Sequence, residues 1–453
     1  MSAERRAAAP GRPKQGRIPS GDRPPYPAAD GSTSPWAWIP TLYFAQGIPY
    51  VVVMTLSVVL YKNLGISNTD IALYTSWLYL PWVIKPLWSP LAELFGTKRL
   101  WVTVLQFFVG AALAGVALTI PTDKVFQLSL AVFWLMAFAS ASHDIAADGY
   151  YMLALPQHQQ AAFVGVRSTF YRLANIGGQG GLVYLAGELT ERSGSVVQAW
   201  TWVFWLLGGL FVLLAAWHAL VLPRPAADVQ GPGRSAARGL AAEFMAVFAS
   251  FFKRPGIAIT LGFLLLYRFP EAQLLKLASP FLLDPVDKGG LGLSTKAVGI
   301  AYGTVGLTAL TLGGLAGGWV ISRIGLKRAL WPLVLAMHVP NVAFLLLAIT
   351  HPTSLAVISA ALAVEQFGYG LGFTAYLMYM IHVADGTQKT AHYAICTGFM
   401  ALGMMIPGMW SGWLQDHIGY VPFFAWVLVA TLPSFVMAAL IKVPEGFGKK
   451  ADA

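Results

Sequence analysis

The chain has 453 residues, of which 57% are hydrophobic and only 11% charged, against roughly 25% charged in soluble domains. With a mean hydropathy of +0.62, no aqueous fold could hide that apolar surface, so lipid must be the solvent. The net charge of +10 gathers into no basic stripe on a polar domain, which excludes a nucleic-acid binder, and the single cysteine, Cys396, excludes an internal disulfide.

Residues 1–35 are rich in Pro, Ala, Gly and Arg. They contain no apolar core of signal-peptide length and read as a disordered cytoplasmic tail. Apolar runs then fall at about 36–61, 70–95, 99–120, 125–153, 161–188 and 199–222, and resume at about 256–283, 295–322, 328–349, 353–383, 390–416 and 420–442, each long enough to span a bilayer. The pattern predicts an all-α membrane protein of twelve transmembrane helices in two six-helix bundles, 36–222 and 256–442. Between them lies a central cytoplasmic loop, 223–255, and after them a tail, 443–453. The loop carries a basic amphipathic piece from about Ala237 to Phe252, expected to lie along the membrane surface.

Lys and Arg divide unequally between the two sets of loops. Twenty fall on the side of the N-terminal tail, and the opposite side has only Lys62, Lys124, Arg192, Lys288 and Lys296. The positive-inside rule places both termini in the cytoplasm of a multi-pass inner-membrane protein.

Two turns repeat a pattern. After the second run the chain reads Ser89-Pro-Leu-Ala-Glu93-Leu-Phe-Gly96-Thr-Lys98-Arg99, and after the eighth Gly318-Trp-Val-Ile-Ser322-Arg323-Ile-Gly325-Leu-Lys327-Arg328. Both place Gly seven residues after a small residue and follow it with a cationic pair, as expected of a duplicated bundle. Glu93 and Arg323 are the candidate gating charges at these turns, with Ser322 replacing the acid in the second copy.

Ionisable groups at membrane depth cost at least ~2.5–3.5 kcal/mol each on insertion scales, so each requires a reason. The fourth run contains His143, Asp144 and Asp148, and the fifth returns with Arg167 and Arg172. A hairpin turning near residue 158 would set Asp144 level with Arg172 and Asp148 level with Arg167, as structural or gating pairs or as proton carriers. The glycines 177, 178, 180 and 181 beside Asn175 and Gln179 suit close helix packing.

The seventh run places Arg268 and Glu271 three apart, where they can pair, with Pro270 between them; the tenth carries Glu365 and Tyr369 on one face, and the first Gln46 and Tyr50. Runs 1, 4, 7 and 10 thus carry polar groups at depth, whereas 3, 6 and 12 carry almost none. That distribution predicts a central cavity lined by Gln46, Tyr50, Arg268, Glu271, Glu365 and Tyr369, with Glu365 desolvated enough to bind a proton. His338, His382 and His392 lie on or near helix ends without a carboxylate or cysteine at metal spacing; no metal or other cofactor is called for.

The stretches Trp88-Ser89-Pro90-Leu91, Ala141-Ser142-His143-Asp144 with Asp148, Tyr171-Arg172-Leu173, Tyr267-Arg268 with Glu271, Ser279-Pro280-Phe281-Leu282 and Glu365 together resemble AmpG-type muropeptide permeases of the major facilitator superfamily. The resemblance runs in order from about residue 40 to 440. It implies a proton-driven importer of muropeptides, in which Asp144 and Asp148 match the helix-4 signature and Glu93 belongs to a cytoplasmic gate; the chain is expected to act as a monomer. The departures are His143 in place of Gln, Arg268 and Glu271 in place of Lys and Asp, and the lack of two further helices.

The functional expectation is a secondary transporter that imports a sugar-containing solute such as a muropeptide, amino sugar or oligosaccharide with protons. A siderophore or other organic-anion permease is the alternative within the fold, and a membrane-embedded transferase the alternative outside it. Orientation is directly testable. In intact cells lacking Cys396, a cysteine at Lys288 should react with an impermeant maleimide from outside, and one at Arg238 should not. The reverse pattern would overturn the orientation.

Overall fold

A computed structural model describes residues 33–88, 96–226, 228–229, 245–385 and 389–449. Its helical segments, in chain order, are α1 (Pro35–Asn63), α2 in two pieces (Asn68–Trp77 and Leu80–Trp88), α3 (Lys98–Thr119), α4 (Val125–Ala154), α5 in three pieces (Gln157–Ile176, Gly177–Leu182, Val183–Ser193) and α6 (Val196–Val221). After these come α7 (Ile257–Leu283), α8 (Thr295–Ile324), α9 (Leu326–Thr350), α10 (Leu355–Ala384), α11 (Lys389–Ile418) and α12 (Tyr420–Leu440). Ten segments among the described residues are long and apolar enough to cross a membrane. α2 is broken at Leu78 and Tyr79, and the polar pieces of α5 dilute its hydropathy.

Helix starts follow local chemistry. Ser67, Thr97, Ser195 and Ser294 cap α2, α3, α6 and α8 by accepting backbone N–H groups that no helical carbonyl can reach. The duplicated turns behave alike: Gly96 (φ +70) and Gly325 (φ +81) both take a positive φ that glycine tolerates without strain. Glu93 lies outside the described residues.

Large apolar side chains pack separately in the two halves. Trp38, Phe133, Trp200, Phe204 and Phe211 anchor α1–α6, and Phe251, Phe263, Tyr267, Tyr376 and Met337 anchor α7–α12. Of the amphipathic piece before α7, residues 245–252 are helical and bury Phe251. At the C-terminal end, the Phe447 carbonyl accepts the Leu326 N–H at 2.8 Å and Glu445 pairs with Lys327 at 2.9 Å. That lysine's hydrogen bond holds the Glu445 carboxyl below its usual range.

The halves meet along α2 with α11 and along α5 with α8. These crossings depend on glycine: a Cβ on Gly303 would run into the Gln179 carbonyl, and one on Gly412 into the Asn68 carbonyl. The expectation that the α5 glycines serve packing agrees with Gly180, where a Cβ would lie 2.6 Å from Thr304 Oγ1 of α8. Both helices carry a π-helical stretch at this crossing, Gly177–Leu182 and Gly299–Gly306.

Candidate functional site

The two ends of the molecule differ. On the side of the loops that are poor in Lys and Arg, a polar lock joins the halves. Lys62 Nζ lies 2.5 Å from Asp284 Oδ1. Asn68 Nδ2 lies 3.1 Å from Asp284, 2.6 Å from Gln415 and 2.9 Å from the Tyr420 hydroxyl, and Tyr420 donates to Asp284 at 2.6 Å. Beside them Thr69 donates to Asp416 at 2.7 Å, and Lys296 reaches Glu188 at 2.5 Å and Glu191 at 3.3 Å. A cleft of about 900 Å³, lined by Lys62, Asn68, Asp284 and Asp416 among others, opens above this lock. Among the described residues, every ion pair between the halves lies on this side.

Toward the cation-rich side the polar groups are accessible. Arg167 Nη2 meets Asp148 Oδ1 at 2.8 Å, with side chains 28% and 39% exposed, so solvent reaches this pair. Arg167 also stacks on the rings of Tyr43 and Tyr151, and Tyr43 donates to Asp148 at 3.1 Å. The predicted pairing of Asp148 with Arg167 is therefore present. The predicted pairing of Asp144 with Arg172 is absent: Asp144 turns to α2, accepting from Trp82 Nε1 at 3.1 Å with Lys85 Nζ at 3.5 Å, and Arg172 is exposed. The hairpin register holds at one level only, because at the other a lysine on a third helix competes for the carboxylate.

Between the two levels lies the centre of the molecule. Arg268 is 7% exposed; its guanidinium donates to the Tyr369 hydroxyl and lies 4.7 Å from the centre of the Phe373 ring. Tyr50 and Tyr79 of the first half lie near that guanidinium. Tyr50 also packs edge-on against Trp82, centroids 5.3 Å apart. Two turns along α7, Lys276 is buried, donates to Thr75 Oγ1 at 2.9 Å and sits 5.6 Å over the Tyr79 ring. Gln46 is 8% exposed and its carbonyl oxygen has no partner. Among the described residues neither Arg268 nor Lys276 meets a carboxylate.

The expected Arg268–Glu271 pair is not formed. Glu271 faces the interior of the second half, where His338 and Asn341 of α9 hold it at 2.7 and 3.3 Å. Glu365 is likewise fully buried, held by Gln366 of its own helix at 2.9 Å. Glu271 and Glu365 are therefore both buried and held within the second half. Arg323 is exposed and stacks on Trp319, 5.5 Å from the ring centre, with no carboxylate among the described residues.

A family model described as Major Facilitator Superfamily matches residues 41–406. The chain belongs to the major facilitator superfamily. It is a transporter and performs no enzymatic reaction. It is 26% identical over 406 residues to the anhydromuropeptide permease of Escherichia coli (strain K12), covering 87% of this chain and 77% of that one. To the putative transporter AmpG 4 of Rickettsia conorii it is 24% identical, covering 87% and 93%. The crystal structure of the nucleoside transporter NupG shares its fold with a TM-score of 0.61 at 17% identity, covering 89% and 96%.

The transporter's remaining site residues escape the sequence reading for identifiable reasons. Lys85 and Lys276 are lysines inside apolar runs and satisfy the same rule that singled out Arg268. Tyr79, Trp82 and Phe373 carry no such signal, since aromatic residues are frequent throughout these helices. α3 and α6 are also less apolar inside than expected. Gln106 bridges His143 at 3.0 Å and His218 at 2.7 Å, and His218 meets Thr41 at 2.9 Å. That chain ties α1, α3, α4 and α6 together within the first half.

The Asp144 contacts yield a stability prediction. Asp144→Asn should lower the melting temperature of the purified protein, because Lys85 loses its counter-charge at a cost of roughly 1–2 kcal/mol for a partly exposed pair. Lys85→Gln added to it should restore most of the loss, and Arg172→Gln should restore none. Rescue by Arg172→Gln would contradict the pairing seen here.

Proposed function

We propose that this transporter imports an acidic, sugar-containing solute of the muropeptide or amino-sugar kind across the bacterial inner membrane, driven by protons. In this reading both termini are cytoplasmic, and the protein acts as a monomer of two six-helix bundles, 36–222 and 256–442. The polar lock at Lys62 and Asp284 then closes the periplasmic side, while Asp148 and Arg167 face a path to the cytoplasm. Gln46, Tyr50, Arg268 and Tyr369 bind solute in the centre. Asp144, Asp148 and Arg167, with Glu93, Arg172 and Arg323 toward the cytoplasm, serve gating. Glu271 supplies a titratable group within the second half, where Glu365 is buried as well.

The observation that carries this reading is the pair of uncompensated cations. A buried charge without a counter-charge costs several kcal/mol, and Arg268 and Lys276 both present theirs at the junction of the halves. An acidic solute supplies the missing charge. Tyr50, Tyr79 and Trp82 offer flat amphipathic surfaces of the kind that receive sugar rings. The similarity to the anhydromuropeptide permease gives the same direction to the solute. Another organic anion would satisfy the cations equally, and the assay therefore includes one.

The test is uptake into proteoliposomes with an imposed pH gradient. The panel contains an anhydromuropeptide, neutral N-acetylglucosamine and a ferric siderophore. The anhydromuropeptide should accumulate only with the gradient. Arg268→Gln should weaken it about 10–100-fold, the equivalent of one hydrogen bond to a charged group, with little effect on any neutral sugar that binds. Preference for the siderophore would favour the organic-anion alternative, and equal uptake of neutral and acidic sugars would remove the role given to the cations.

A further inference from the structure

Glu271 and His338 form a buried pair inside the second half, with side chains 0% and 1% exposed and Oε1 2.7 Å from Nδ1. The backbone of α9 changes form directly after His338. Val339–Asn341 is a 3-10 turn containing Pro340, whose ring cannot continue an α-helical ladder. The turn brings Asn341 Nδ2 to 3.3 Å from the same Oε1. That oxygen therefore has two donors, whereas Glu271 Oε2 and His338 Nε2, both buried, have no partner. The imidazole is walled edge-on by Tyr267 at 5.8 Å and Phe435 of α12 at 5.3 Å.

The charged and titratable neighbours are few. On α7 they are Tyr267 and Arg268, the latter three residues before Glu271; on α10 they are Glu365 and Tyr369. α9 contributes only His338, and the α12 contact, Phe435, does not titrate. Arg268 is thus the nearest permanent cation along the helix, and it is turned away toward Tyr369.

We infer that Glu271 and His338 together are the seat of the coupling proton, and that Arg268 links its presence to the solute. This rests on the proton-driven reading above. In the proton-free form, neutral His338 donates its Nδ1–H to the Glu271 carboxylate, and the pair carries a charge of −1. A proton from water then bonds to a lone pair on Nε2, giving imidazolium against carboxylate, or on Oε2, giving carboxylic acid against neutral imidazole. Either addition keeps the Nδ1–H···Oε1 hydrogen bond and brings the pair to zero charge; release returns the proton to water. The two acceptor atoms are the two that have no partner.

Charge balance supplies the coupling. With the pair at −1, a negative charge one helical turn away, though not in contact, offsets part of the cost of burying Arg268. With the pair neutral that offset is gone, and the acidic solute supplies the charge. Proton and solute each strengthen the other's binding, and linkage makes the two effects equal.

The experiment is calorimetric titration of the purified full-length protein with an anhydromuropeptide, repeated in buffers of different ionisation enthalpy and at several pH values. The parent should take up about one proton per solute, with the dissociation constant changing by up to about tenfold per pH unit. Glu271→Gln combined with His338→Gln keeps an amide-to-amide hydrogen bond; this variant should bind with no linked proton and a flat pH dependence. Glu365→Gln should retain the linked proton. Linked uptake that persists in the double variant, or disappears in Glu365→Gln alone, would overturn the inference while leaving proton symport standing. A parent with no linked proton and no gradient-driven uptake would overturn both. Should the double variant fail to fold, the parent decides: solute-induced infrared difference spectra should show histidine ring or carboxyl C=O bands, and their absence contradicts the assignment.

Discussion

An ion in the low-dielectric interior of a membrane protein is tolerable only beside a compensating charge, since the desolvation penalty amounts to several kcal/mol per ion. The first half of this transporter satisfies that constraint locally, with Lys85 on Asp144 and Arg167 on Asp148. The second half holds Glu271 by hydrogen bonds from His338 and Asn341, and Glu365 by one from Gln366. Its two central cations, Arg268 and Lys276, have hydroxyls and aromatic rings for company. Cation–π contact offsets part of such a penalty, roughly 0.5–2 kcal/mol. In the function proposed above, the acidic solute offsets the remainder.

The same asymmetry governs how the halves meet. On the cation-poor side, contact is made by charges and amides whose partners lie across the junction, above crossings where glycine lets backbones touch. Such contacts are all-or-none: backbone this close leaves no intermediate spacing for a side chain. Polar locks over glycine crossings therefore suit an interface with two discrete states, closed as here or released. The ion pairs along the opposite path stay within one half, so opening that side breaks none of them.

Much of the architecture is legible in the chain, because a span of about twenty apolar residues is dictated by bilayer thickness. The duplicated Gly96 and Gly325 turns and the Asp148–Arg167 pair are legible too, one from spacing and the other from hairpin register. Partners on non-consecutive helices are not. Sequence proximity assigns Asp144 to Arg172, yet it meets Lys85; the same reasoning assigns Glu271 to Arg268, yet it meets His338 and Asn341. An i, i+3 spacing permits a pair within a helix but does not say which way each side chain turns once neighbouring helices compete for it. Glu365 is expected on a cavity for the same reason and lies fully buried.

The central claim is that Arg268, at the junction of the two halves, holds the acidic group of the solute. A structure of the transporter with an anhydromuropeptide bound tests it most directly. A solute carboxylate should then lie within about 3 Å of the Arg268 guanidinium, with the sugar in contact with Tyr50 or Tyr79 across the junction. A solute bound entirely within one half, with Arg268 still held by Tyr369 alone, would contradict it.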